Sequence, residues 1–161
     1  MKILVISDTH RHIRNVIDLV TKITDVDRII HLGDLVADAQ DIESIYGRIP
    51  IDYVSGNCDF YETIAPKEKI ISLLGKKILI THGHYYGVKS GYKEIGSVAL
   101  QKQVDAVLFG HTHVPYIGYV EDVILMNPGS ISEPRRSMKP SYGILEIDDK
   151  GVLHATLNTI K

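Results

Sequence analysis

Seven side chains able to bind a metal ion recur just past short apolar segments: Asp8 and His10, Asp34, Asn57, His82, and His111 with His113. Asp-x-His at 8–10 and His-x-His at 111–113 place two donors two residues apart, and in extended chain that spacing turns both side chains to one side. Glycines stand beside most of them, at Gly33, Gly56, Gly83 and Gly110, where a strand must turn sharply or let a ligand approach the backbone. The donors are carboxylate, imidazole and amide without thiolate, a set that suits Mn, Fe, Zn or Ni better than a Cys-rich structural zinc site. Seven donors exceed what one ion needs, whereas two adjacent ions sharing a carboxylate use them all. Single residues have plainer readings: Asp8 and Asp34 as helix N-caps, Asn57 as a turn residue tolerant of left-handed backbone. The ordered set is what points to metal chemistry.

The elements that must position these residues follow from apolar spacing. Ile3–Ile6 is an unbroken apolar run, as in a strand buried on both faces. Ile13, Val16, Ile17, Val20 and Ile23 recur at helical spacing, predicting a helix over about 11–23. A strand over Arg28–Leu32, a helix over about 38–46 and a strand over Ile51–Ser55 complete a βαβαβ unit with a parallel sheet. Lys69–Leu74 and Lys77–Thr81 read as a hairpin turning at Gly75-Lys76, followed by a helix over Tyr92–Lys102 and a strand over Ala106–Phe109. Closely spaced strands over about 116–120, 123–127, 141–147 and 152–159 make the remainder mostly antiparallel. An α/β front half and a β-rich back half predict two sheets packed face to face with helices outside. Ligands of open α/β sheets bind beyond the carboxyl ends of strands, so the seven donors should converge.

The 161 residues with 44% hydrophobic content predict a single domain spanning 1–161. A net charge of -2 and the lack of a basic stripe argue against a nucleic-acid polymer as partner. The lone Cys58 fits a reducing, cytoplasmic setting, and the apolar run after Lys2 is too short for a signal peptide or membrane span. His31, inside the second strand, reads as a hydrogen-bonded core histidine, and His154 as a surface residue.

In order and over nearly the whole chain, Asp8-x-His10, Gly33-Asp34, Gly56-Asn57-x-Asp59, His82 and Gly110-His111-x-His113 resemble the calcineurin-like metallophosphoesterases. Thr81-His82-Gly83-His84 and Asn127-Pro128-Gly129-Ser130 are most similar to the small prokaryotic YfcE-type phosphodiesterases. The resemblance implies a four-layer αββα sandwich of two mixed sheets. It also implies that Asp8, His10, Asp34 and His113 hold one metal and Asp34, Asn57, His82 and His111 a second, with Asp34 bridging. Manganese is the expected metal, with nickel, zinc and iron as alternatives. The expected activity is phosphodiester hydrolysis by in-line attack of a metal-bridging hydroxide, Asn57 and His82 orienting the phosphoryl group.

Larger relatives carry Gly-Asn-His-Glu where this chain has Gly56-Asn57-Cys58-Asp59, so the usual proton donor to the leaving group is missing. His12 and His84 are the substitutes the sequence offers. Arg11 and Arg135 are candidates for binding substrate phosphate; Asp59, His84 and Asn127 are expected to support the ligands. The substrate expected is a small-molecule phosphodiester, without a membrane partner, and the resemblance allows a homo-oligomer. The alternative is a non-catalytic, metal-binding scaffold of the same fold, as the retromer subunit is.

Overall fold

The computed structural model describes residues 1–60, 64–136 and 138–160. Strands β1 (Lys2–Ile6), β2 (Arg28–His31) and β3 (Ile51–Tyr53) run parallel. Helices α1 (Arg14–Lys22) and α2 (Val36–Ile45) connect them. The antiparallel pair β9 (Ser141–Ile147) and β10 (Leu153–Thr159) extends this sheet along β1, giving the order β10-β9-β1-β2-β3. A second sheet has the order β4-β5-β6-β8-β7. It is built from β4 (Glu68–Leu73), β5 (Lys76–Thr81), β6 (Ala106–Phe109), β7 (Pro115–Val120) and β8 (Val123–Pro128), with α3 (Lys93–Lys102) between β5 and β6. Both sheets are mixed, since β5, β6 and β8 are parallel while β4 and β7 run against their neighbours.

Period-two alternation with apolar residues on both faces explains the layering. Ile3, Val5, Ile30, Ile78, Ile80, Leu108, Met126 and Leu145 point between the sheets. Their neighbours Leu4, Ile6, Ile29 and Ile144 pack against α1 and α2, and Leu79, Val107, Phe109 and Leu125 pack against α3. Three apolar layers separate four layers of secondary structure, which is the αββα sandwich. No helix among the described residues is long and apolar enough to cross a membrane.

Three of the boundaries that differ from the sequence expectation do so for a clear local reason. The first helix begins at Arg14 rather than about 11 because His10 and Arg11 have φ of 45° and 69°, values incompatible with a right-handed helix. The second begins at Val36, two residues early, where the Asp59 carboxylate accepts the Val36 amide at 2.9 Å. The β4–β5 hairpin turns at Leu74-Gly75, one residue before the expected position, with both residues at positive φ (47° and 80°), as a tight two-residue hairpin requires.

Candidate metal centre

The loops after β1, β2, β3, β5 and β6 bring the seven predicted residues together across the two sheets. Ligand atoms of Asp8, His10 and His113 lie within 4.8 Å of one another, and so do those of Asp34, His82 and His111. Asp34 also forms such a group with His10 and Cys58, placing its carboxylate between the two clusters. Asn57 joins the second cluster through Oδ1, 3.1 Å from His82 Nε2.

The backbone is strained where it delivers these side chains. Asp8, His10, Asp34, His111 and His113 have φ of 56°, 45°, 47°, 68° and 58°, a left-handed conformation that costs of order 1 kcal/mol per non-glycine residue. Packing is as tight as the strain suggests: a Cβ added at Gly56 would collide with Asp34 Oδ1, and one at Gly110 with Ser7 Oγ. Glycine is required at both positions so that neighbouring loops can touch.

Hydrogen bonds fix the donors and exclude the capping reading. The N-cap residues of α1 and α2 are Ile13 and Leu35, not Asp8 or Asp34. Asp34 Oδ1 instead accepts the Cys58 amide at 2.9 Å, and Asp8 Oδ2 accepts Ser7 Oγ–H at 2.6 Å and the His111 amide at 3.1 Å. His82 Nδ1 donates to the Leu32 carbonyl at 2.7 Å and His113 Nδ1 to the Glu133 carbonyl at 2.5 Å. These bonds direct the Nε2 lone pair of each ring into the centre.

The electrostatic consequence is a test of whether a cation fits. His113 Nε2 lies 3.2 Å from Asp8 Oδ1 and 3.3 Å from His10 Nε2, while His82 Nε2 lies 3.4 Å from Asp34 Oδ2 and 3.2 Å from His111 Nδ1. Asp8 Oδ1 is fully buried and has no hydrogen-bond partner among the described residues. Lone pairs thus face lone pairs in a site where Asp8 and His82 are sealed from water, an arrangement stabilised only by positive charge. The donor set fits divalent metal ions.

Titration shifts report the same competition. Burial pushes the Asp8 and Asp34 carboxyls up, but the imidazoles of His113 and His82 bring both below the ordinary carboxylate range. Burial lowers His82 and His113, and their carboxylate partners raise them above the usual histidine value. Burial, reinforced by His82 and Lys89, takes His111 down to about 4.

The remaining predicted residues sort by position. Asp59 bonds two backbone amides, Val36 and Gly56 (2.7 Å), and so ties the loops of Asp34 and Asn57 together without touching a candidate ligand's side chain. Buried Asn127 braces the His111 loop, its Nδ2 donating to the Gly110 carbonyl at 2.7 Å. The His84 ring centroid lies 5.3 Å from that of His82 and 4.0 Å from that of Tyr85. Exposed Arg135 lines a cleft with His111 and His113, and Arg11 lines a cleft with Cys58 and Asp59. His12 is exposed and opens on a separate cleft with Ser132 and Glu133. Exposed His154 pairs with Asp148 at 3.0 Å.

Supporting groups beyond the sequence reading are Ser7 and Ser130, whose hydroxyl donates to the Asp8 carbonyl at 2.8 Å, and the carbonyls of Leu32 and Glu133. Ser130 lies in the Asn127-Pro128-Gly129-Ser130 motif, but a serine's or a backbone oxygen's hydrogen-bond partner cannot be read from sequence.

His31 is fully buried; its Nε2 is 3.0 Å from Thr9 Oγ1, and its Nδ1 accepts the Gly33 amide at 3.2 Å. Burial pulls its pKa from 6.5 down to about 4. Between these values the unfolded chain binds a proton that the folded chain refuses, so stability falls as pH drops from 6.5 toward 4. This histidine should remove about 2 kcal/mol between pH 7 and pH 5. Denaturant titrations of His31→Gln should show a correspondingly shallower loss over that interval, and an unchanged loss would contradict the assignment.

Fold and site together define a protein built to hold divalent metal at the carboxyl ends of two facing sheets. The chain belongs to the calcineurin-like phosphoesterase superfamily, whose domain model matches residues 1–150. Among curated relatives, a probable metallophosphoesterase of Bacillus subtilis, YsnB, is 32% identical over 92% of this chain and 86% of its own length. The Escherichia coli phosphodiesterase YfcE is 30% identical over 62% of this chain and 54% of its own length. Among solved structures, a predicted phosphoesterase of Streptococcus pneumoniae superposes with a TM-score of 0.78 at 27% identity, covering 98% of this chain and 97% of the other. Zinc-complexed Vps29 of Entamoeba histolytica superposes with a TM-score of 0.77 at 22% identity over 98% of each chain, which shows the shared fold.

Proposed function

We propose that this chain is a two-metal phosphodiesterase acting on small-molecule phosphodiesters. Asp8, His10 and His113 would hold one divalent ion and Asn57, His82 and His111 the other, with Asp34 available to both. Manganese is the preferred metal, with nickel, zinc and iron as alternatives. The carrying observation is the pair of ligand clusters with Asp34 between them. Divalent ions so placed supply water of lowered pKa and offset the charge that grows on the phosphoryl oxygens.

The protein's own groups do the positioning. Asp34, held well below the ordinary carboxylate range, stays ionised throughout the physiological range. Asn57 and His82, joined at 3.1 Å, orient the phosphoryl group. Burial, followed by the Asp34 carboxylate, pushes the Cys58 thiol up to about 11, so it is a weak acid for assisting departure. Esters with acidic leaving groups should therefore be favoured: bis(4-nitrophenyl) phosphate should turn over at least about 100-fold faster than an alkyl monoester, as loss of general-acid assistance implies. Equal rates would contradict this role of Cys58.

The test of the function is metal-free protein reconstituted with Mn, Ni, Zn or Mg and assayed on mono- and diesters. A second reading, a non-catalytic scaffold, draws support from the likeness to Vps29 in fold. Protein that takes up ions and hydrolyses no ester would favour it.

A further inference from the structure

We infer that the cleft beside His111 and His113 is a subsite for a second phosphate group, carried by the substrate beyond the phosphorus that is cleaved. This rests on the diesterase reading and names the substrate class within it. The cleft has a volume of about 390 Å³, within the range of small-molecule sites. Lys89, Arg135 and Arg136 line it together with Tyr92, and no carboxylate among the described residues does. Among the described residues none of these three cations forms an ion pair. The chain as a whole carries a formal charge of -2, so this concentration of unmatched positive charge is local.

The cations are not on a loose surface segment. The Arg135 amide donates to the His113 carbonyl at 3.3 Å. His113 Nδ1 returns a bond to the Glu133 carbonyl, and the Ser132 and Glu133 amides donate to Ser130 Oγ at 3.2 and 2.7 Å. Two bonds thus tie the arginine-bearing loop to the candidate ligand His113, and two more brace it on Ser130, whose hydroxyl donates to the Asp8 carbonyl. Arg136 adopts a left-handed backbone, φ 54°. Lys89 follows Val88, which is buried, and the Tyr92 ring packs at a tilt against Tyr116 and Phe109, with centroids 4.2 and 5.3 Å away.

Guanidinium groups recognise phosphate by paired hydrogen bonds, and a neighbouring ammonium adds a point charge. A separate cleft beside Asn57 is different: it contains Asn57, Asp59, Phe60, His84 and Tyr85. Its lysine, Lys67, lies over the Tyr85 ring, 4.7 Å from the centroid. The charge difference orients a diester, with its phosphorylated arm toward the arginines and its uncharged or aromatic arm away from them.

The experiment compares thymidine 5′-(4-nitrophenyl phosphate) with the same ester bearing a 3′-phosphate, both on metal-loaded protein. The 3′-phosphorylated ester should have a kcat/KM about tenfold higher, mainly through KM, with the margin shrinking as salt is raised. In Arg135→Ala/Arg136→Ala the ratio of the two kcat/KM values should fall to within about twofold of unity, and in Arg136→Glu it should drop below the parental ratio. The ratio is internal to each protein, so damage to folding does not imitate the result. Equal kcat/KM in the parent, or an undiminished ratio in both variants, would overturn the subsite. Should neither ester turn over, the diesterase reading fails and binding decides separately. Thymidine 3′,5′-bisphosphate should bind about tenfold more tightly than thymidine 5′-monophosphate, and equal affinities would overturn the inference.

Discussion

Asp34→Asn should lower kcat/KM for bis(4-nitrophenyl) phosphate by about 10³-fold, equivalent to roughly 4 kcal/mol of transition-state stabilisation. The change keeps the shape of the side chain and removes the charge shared by the two ligand clusters. Asp34 Oδ1 is occupied by the Cys58 amide, while Oδ2 faces His82 Nε2 at 3.4 Å. An asparagine there can direct its oxygen at the backbone only by turning its NH2 group toward the imidazoles, where a cation would have to sit. The variant should remain folded, because nothing in the apolar layers is altered, and should bind fewer metal ions per chain. Full activity in Asp34→Asn would show that the carboxylate is not shared between ions.

Stripping metal should lower the melting temperature by roughly 5–10 °C. Saturation at about 100 times Kd stabilises a native state by ~2.7 kcal/mol, and a chain of this length shifts by about 2–4 °C per kcal/mol. The physical source is the fully buried Asp8 Oδ1, without a hydrogen-bond partner among the described residues, and the imidazole nitrogens facing each other at 3.2–3.3 Å. The increment has a definite pH sign. His82 and His113, raised above the ordinary histidine value, must lose protons before they can bind a cation, so the metal-dependent gain should shrink as pH falls. Calorimetry with and without chelator at two pH values measures this, and a melting temperature indifferent to chelator would mean that no ion occupies the site.

The distribution of these residues explains what the sequence could reveal. Residues at strand ends were legible because β1, β2, β5 and β6 each carry a short apolar run that gives way to Ser7-Asp8, Gly33-Asp34, His82-Gly83 and Gly110-His111. Parallel strands then deliver those ends to one edge. Asp59 was legible as a residue near the site, but its bonds to Val36 and Gly56 depend on where two loops meet in space. The start of the first helix was misplaced because the left-handed backbone of His10 and Arg11 is imposed by tertiary contacts, including the His10 amide bond to the Asp34 carbonyl at 3.2 Å. Apolar periodicity contains no trace of such a contact. Arg136 and Lys89 were missed for a related reason: separated by more than forty residues, they become a pair only when the loops after β5 and β8 close on one cleft.

Anomalous diffraction from crystals grown with manganese is the most direct measurement of whether these side chains gather a pair of cations. Two peaks about 3.5–4 Å apart are expected, one contacted by Asp8, His10 and His113, the other by Asn57, His82 and His111, with Asp34 touching both. A single peak, or none at saturating metal with those side chains turned away from one another, would contradict it.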